Sequence, residues 1–227
     1  MNAELLQKAD LFLKTELKKM NSFIDVDTGE KIIERMTDYR IEHSYRVANI
    51  GAGIALAEGF DVERTYLACL LHDIGYSVQF SFDKDYVNHG RYGAKIARPF
   101  FSSLGYSEKE VNEMCYGIAI HVDDKADFDG ERTPLALTVA DADNIDRFDA
   151  YRLYEGLQDR VYRDIPLKEQ KALVDKALSR LPKLRELPCG TKTGEALWKE
   201  KVDYQIGFYQ RLLHQVETSE HFVSPIN

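Results

Sequence analysis

The chain has 227 residues, 44% apolar and 11% aromatic, enough for an ordinary hydrophobic core. Thirty basic residues against 38 acidic ones give a net charge of −8, and the bases are scattered, which excludes a nucleic-acid polymer or an anionic membrane surface as partner. A small anionic substrate stays open, because a bound metal ion supplies locally the positive charge that the chain as a whole lacks.

Cys69, Cys115 and Cys189 are odd in number and far apart, and the first two fall inside apolar helical patterns. They read as thiols of a reducing compartment. The opening segment MNAELLQKADLFLKTELKKM is amphipathic and carries acids, without the unbroken apolar run of a signal peptide or membrane span. The expectation is a cytoplasmic protein.

Nearly every periodic segment has helical spacing, and none alternates with period two, so the fold is expected to be all-α. Leu5, Leu6, Ala9, Leu13 and Leu17 make the first stripe, on a helix near 3–20. Helices near 30–38 and 41–58 follow; Gly59 ends the second, and Asp61 caps the next, at 62–74. The stretch 75–89 has no clear period and is longer than a packing connection needs, as functional loops often are. It reads as a lid or specificity element. Beyond it come helices near 90–104 and 108–121. The latter opens on a capping box, Ser107 with Glu110, stapled by Tyr106 and Val111. Thr133 followed by Pro134 starts a helix to about 146, and three more are expected near 150–162, 167–180 and 194–217. Trp198, Val202, Ile206, Tyr209, Leu213 and Val216 form the last stripe. With no repeat and no long linker, the reading is one domain over 1–227, comprising a motif-bearing core at about 38–150 and a helical extension at 151–217. Apolar surface on the helices beyond 150 would suit a homodimer.

Two look-alike motifs fail. Gly51 and Gly53 lie in a helical pattern with no strand before them and no third glycine at position 56, so they are no dinucleotide fingerprint. The acidic loop at 123–130 puts Lys125 where a calcium loop needs its first aspartate and Ala136 where it needs its last glutamate.

The chemistry concentrates in histidines. Of six in the chain, His43, His72, His89 and His121 fall on helices or at their junctions. His43 continues the stripe of Val47, Ile50, Ile54 and Ala57, and His121 that of Val111, Met114 and Ile118, so both point inward. The apolar run LACLL ends in His72 and Asp73, and LALTVA ends in Asp141. Buried imidazoles and carboxylates without a thiolate make a hard-to-intermediate metal environment. His43, His72 and Asp141 would complete one ion and His89 and His121 a second, with Asp73 bridging. Arg46, one turn after His43, reads equally as a phosphate ligand or as a salt-bridged surface arginine.

The order His43, His72-Asp73, Asp141, with HSYRVANIG around the first and LLHDIGY around the second, resembles the HD-domain superfamily of metal-dependent phosphohydrolases over about residues 38–150. NHGRYGA with His89 and AIAIHVDD with His121 resemble the members that hold two metals. The resemblance implies a helical bundle, with His43, His72, Asp73 and Asp141 as core ligands, Asp73 as the bridge, and His89 and His121 as ligands of the second ion. Asp143 in VADADNID competes with Asp141, and the family's usual AD pair favours Asp141. The tail LRELPCGTKTGEALWKEKVDYQIGFYQRLL is similar to that of small bacterial HD phosphohydrolases, some of which act on nucleotides.

The implied activity is hydrolysis of a small phosphate ester or nucleotide by water activated on divalent ions (Mn, Mg, Fe, Co or Ni), centred on Asp73. Two other classes are compatible with the ligands: a di-iron oxygenase of the HD type, and a non-catalytic metal-binding regulatory module.

Overall fold

The computed structural model describes residues 2–19, 33–78, 85–160 and 162–219. Among these no strand occurs, and the chain is all-α. Its helices are α1 (Ala3–Leu17), α2 (Ile33–Glu58), α3 (Val62–Leu70), α4 (His89–Ser103), α5 (Glu108–Ile120), α6 (Pro134–Arg147), α7 (Ala150–Asp159), α8 (Leu167–Arg185) and α9 (Lys192–Thr218). Short 3-10 turns cover Ile74–Ser77, Asp85–Asn88 and Tyr162–Asp164.

The expected caps are present. Asp61 accepts from the amide of Arg64 at 2.9 Å, Ser107 and Glu110 close a reciprocal capping box, and Thr133 Oγ1 accepts from the amide of Ala136 at 3.2 Å. One expectation differs: the helices near 30–38 and 41–58 are a single helix, α2, because nothing between Tyr39 and Ile41 breaks the ladder. Gly51 lies inside it, and a methyl there would meet Cys69 Sγ of α3 at 2.4 Å, so this glycine serves packing. Residues 30–32, and 79–84 of the expected lid, lie outside the described residues; Ile74–Ser77 and Asp85–Asn88 flank the latter as 3-10 turns.

The chain divides into two compact units: residues up to Asp146 with Cys189–Gly194, and Arg147–Pro188 with the chain from Glu195 onward. In the first, α2 packs on α3, α3 on α5, and α4 on α5. Leu13, Val47, Leu67, Leu71, Phe101 and Met114 are fully buried in its core, each worth about 1.5–3 kcal/mol of transfer free energy. In the second unit Trp198 stands edge-on to Phe148 at 4.6 Å and donates to the Leu184 carbonyl at 2.8 Å, while Gln205 donates to the Phe148 carbonyl at 2.9 Å.

Two glycines govern how closely the elements of the first unit approach. A methyl at Gly75 would lie 1.9 Å from the His89 carbonyl oxygen and 2.7 Å from the Gly93 amide nitrogen, and one at Gly90 would lie 2.8 Å from the carbonyl oxygens of both Ile118 and Ala119. The obstructing atoms are backbone, which cannot rotate aside. Gly75→Ala is expected to push the start of α4 outward, lowering stability by about 1–3 kcal/mol in urea titrations and displacing His89.

Candidate metal centre

Three of the four inward histidines follow one local rule. His72 succeeds α3, His121 succeeds α5, and His89 succeeds the 3-10 turn Asp85–Asn88. Each carries a ring nitrogen hydrogen-bonded to a carbonyl three residues back: His72 Nδ1 to Cys69 at 2.7 Å, His121 Nδ1 to Ile118 at 2.7 Å, His89 Nδ1 to Tyr86 at 2.5 Å. Terminal turns leave carbonyls without intrahelical donors, and a histidine there satisfies one. A carbonyl only accepts, so Nδ1 carries the proton and Nε2 is left with its lone pair. His43 on α2 is held through a carboxylate instead, its Nδ1 donating to Asp146 Oδ2 at 2.7 Å.

The four Nε2 atoms converge on Asp73. Its Oδ2 lies 3.6 Å from Nε2 of both His43 and His72, and its Oδ1 lies 3.2 Å from Nε2 of His89 and 3.7 Å from that of His121. Asp143 Oδ1 joins the first pair at 3.2 Å from His43 and 3.8 Å from His72. His43 and His72 face each other through Nε2 at 3.2 Å, as do His89 and His121. Lone pairs directed at one another across such distances are repulsive unless a proton or a cation lies between them. His43, His72 and Asp73, then Asp73, His89 and His121, and also His72, His121 and Asp143 are each close enough to share an ion. These donors, nitrogen and carboxylate oxygen without thiolate, suit a divalent cation.

Electrostatics agree. Burial pushes the pKa of the fully enclosed His72 down to about 4, so its imidazole is neutral at pH 7. Burial opposes charge on Asp73 too, yet the adjoining His72 and the Arg40 guanidinium paired with it hold its carboxyl well below the usual range. For His43, burial is outweighed by the flanking carboxylates of Asp143 and Asp146, which raise it to about 9.

The structure therefore brings together His43, His72, Asp73, His89 and His121, and it does not bring Asp141 to them. Asp141 Oδ2 instead accepts from the Gly190 amide at 2.7 Å, tying residues 189–194 to α6, while burial raises its pKa to about 6. Asp143, two residues on, occupies the place expected for Asp141. Positions two apart on a helix lie on opposite sides. Asp143 instead shares the inward face with Val139 and with Asp146, at spacings of four and three. Arg46 does not reach the cluster: it grips Asp146 with Nε at 2.7 Å and Nη2 at 3.2 Å. Sequence reasoning passed over Asp146, which orients His43, and Arg40, one turn before His43. The Arg40 guanidinium pairs with Asp73 Oδ2 and lies over the Tyr76 ring at 3.7 Å, and Tyr76 in turn stacks on His89 at 4.3 Å.

Residues 40–147 match the family model described as HD domain. In fold it is similar to the crystal structure of a predicted HD superfamily hydrolase from an uncultured Thermotogales bacterium, with TM-score 0.56 and 18% identity over 89% of this chain and 90% of that one. The HD domain of the L. monocytogenes phosphodiesterase PgpH aligns over 86% of this chain and 98% of that one, at TM-score 0.37 and 12% identity. No curated protein matches the chain.

Asp143→Ala is expected to lower metal occupancy at the His43–His72 pair. Asp141→Ala should instead cost about 1–3 kcal/mol of stability by leaving the Gly190 amide unpaired, with metal content unchanged. Elemental analysis and urea titration of both variants separate the roles. A second expectation concerns pH. Metal-free His43 is protonated at pH 7, so an ion must displace its Nε2 proton, and low pH opposes binding. Affinity in chelator-competition titrations should rise roughly tenfold per pH unit from 7 towards about 9, where His43 is losing its proton anyway.

Proposed function

We propose that the chain is a metal-dependent phosphohydrolase that cleaves a small phosphate ester or a nucleotide. The observation that carries this reading is the inward face of the cluster: four Nε2 atoms gathered around the two oxygens of one buried carboxylate. In this reading His43, His72, Asp73 and Asp143 hold one divalent ion, Asp73, His89 and His121 hold a second, and Asp73 bridges them. Ions held there would supply Lewis acidity towards a phosphoryl oxygen and acidify water at neutral pH.

The remaining groups position and neutralise. Asp146 holds His43 by Nδ1, and Arg46 fixes Asp146 by a two-point grip, so Arg46 acts on the ligand shell and not on substrate. Arg40 suits the phosphate better. Its side chain retains 19% exposure beside Asp73, and its buried Nε has no hydrogen-bond partner. With Asp73 engaged by cations, the guanidinium is available to a phosphoryl oxygen while Tyr76 keeps its plane in place. In the overall reaction a water oxygen bonds to phosphorus, the ester P–O bond breaks, and the leaving oxygen takes up a proton.

Phosphate-ester cleavage is expected with Mn²⁺ or Mg²⁺ under strict anaerobiosis, with ¹⁸O from labelled water entering the phosphate product. Dependence on both iron and O₂, with no ester cleaved, would assign the centre to oxygenase chemistry instead. Arg40→Ala should lower kcat/KM by about 10- to 100-fold with metal content retained, whereas Arg46→Ala should weaken metal binding by about 10- to 100-fold.

A further inference from the structure

The second unit contains a cavity of about 380 Å³ whose lining residues all belong to that unit and include none of the metal cluster. Five cationic side chains line it, Arg147, Arg152, Arg160, Lys176 and Arg180, and among the described residues no aspartate or glutamate does. In a chain of net charge −8 this is a local reversal of sign. Arg160, Lys176 and Arg180 have no ion pair among the described residues. The floor is apolar: Leu157 and Leu173 line it beside the buried Leu153, Val174 and Leu181.

Two tyrosines complete the wall, Tyr162 from the 3-10 turn after α7 and Tyr209 from α9. The Tyr162 hydroxyl is buried and has no hydrogen-bond partner. An unsatisfied buried hydroxyl costs free energy that a ligand atom would recover. An apolar floor, two tyrosine rings and a cationic rim select a molecule with a flat or apolar body and a multiply charged anionic end.

We propose that this cavity is a binding site for a small phosphorylated molecule of the nucleoside-phosphate class, with the phosphates against Arg160, Lys176 and Arg180 and the ring body over the leucine floor beside Tyr162. Occupancy would pull the α7–α8 and α9 segments together around the ligand, because the cations come from α6, α7 and α8 and the facing Tyr209 from α9.

The test is calorimetric titration of the full chain, kept metal-free with chelator, with ADP, with inorganic pyrophosphate and with adenosine. ADP is expected to bind more tightly than either fragment. Arg160→Ala combined with Arg180→Ala should weaken ADP binding by about tenfold or more. Tyr162→Phe, which keeps the ring, should weaken it severalfold without loss of helicity, and Asp73→Ala should leave it unchanged. The proposal is overturned if ADP does not bind at millimolar concentration, if the double variant binds it undiminished, if Asp73→Ala abolishes binding, or if pyrophosphate or adenosine alone binds as tightly as ADP. Binding is read without metal, so a negative titration here and a negative hydrolase assay are separate results.

Discussion

A buried carboxylate surrounded by four imidazoles is the constraint on which the first unit depends. Asp73 is 3% exposed, and an ionised carboxylate so placed is costly unless positive charge or donors face it. Arg40 supplies part of that charge, but the imidazoles of His72, His89 and His121 turn lone pairs inward, because their protons are committed to Cys69, Tyr86 and Ile118. Acceptors facing acceptors are unstable without a cation. A cation held in this cluster would relieve that repulsion in an arrangement the backbone has already imposed.

The backbone imposes it through helix ends. His72 and His121 each close a helix by satisfying a carbonyl that the ladder leaves open, so tautomer and ring direction follow from chain geometry. These ends must then meet within a few ångströms. Gly75 lets His89 lie against the turn that follows Asp73, and Gly90 lets α4 lie against the last turn of α5. The motif HDIG thus reads as one mechanical part: two side chains of the cluster, an apolar anchor in Ile74, which is fully buried, and the clearance needed by His89.

Legibility in the sequence followed the range of the interaction that decides each feature. Helices, caps and inward stripes depend on neighbours within four residues, so α1, α3, α5 and α6 lie close to where periodicity and capping put them. The histidines were legible for the same reason, each ending or continuing an apolar pattern. Arg46 was harder. Its spacing from His43 shows that it lies one turn away, but its partner Asp146 is a hundred residues distant, and no local signal says that the guanidinium is already occupied.

The sequence by itself determined an all-α chain with histidines at helix ends and an aspartate among them, because these follow from periodicity and from the chemistry of orphan carbonyls. Only the tertiary structure decided which carboxylate of α6 faces the cluster. Asp141 and Asp143 stand two positions apart at the end of the same apolar run and are equivalent as local patterns. The rotation of α6 about its axis, fixed by burial of Val139 and Ala142, turns Asp143 and Asp146 towards His43 and leaves Asp141 to hold the Gly190 amide. A helix face is set by what packs against it, and that information is carried by residues remote in the chain.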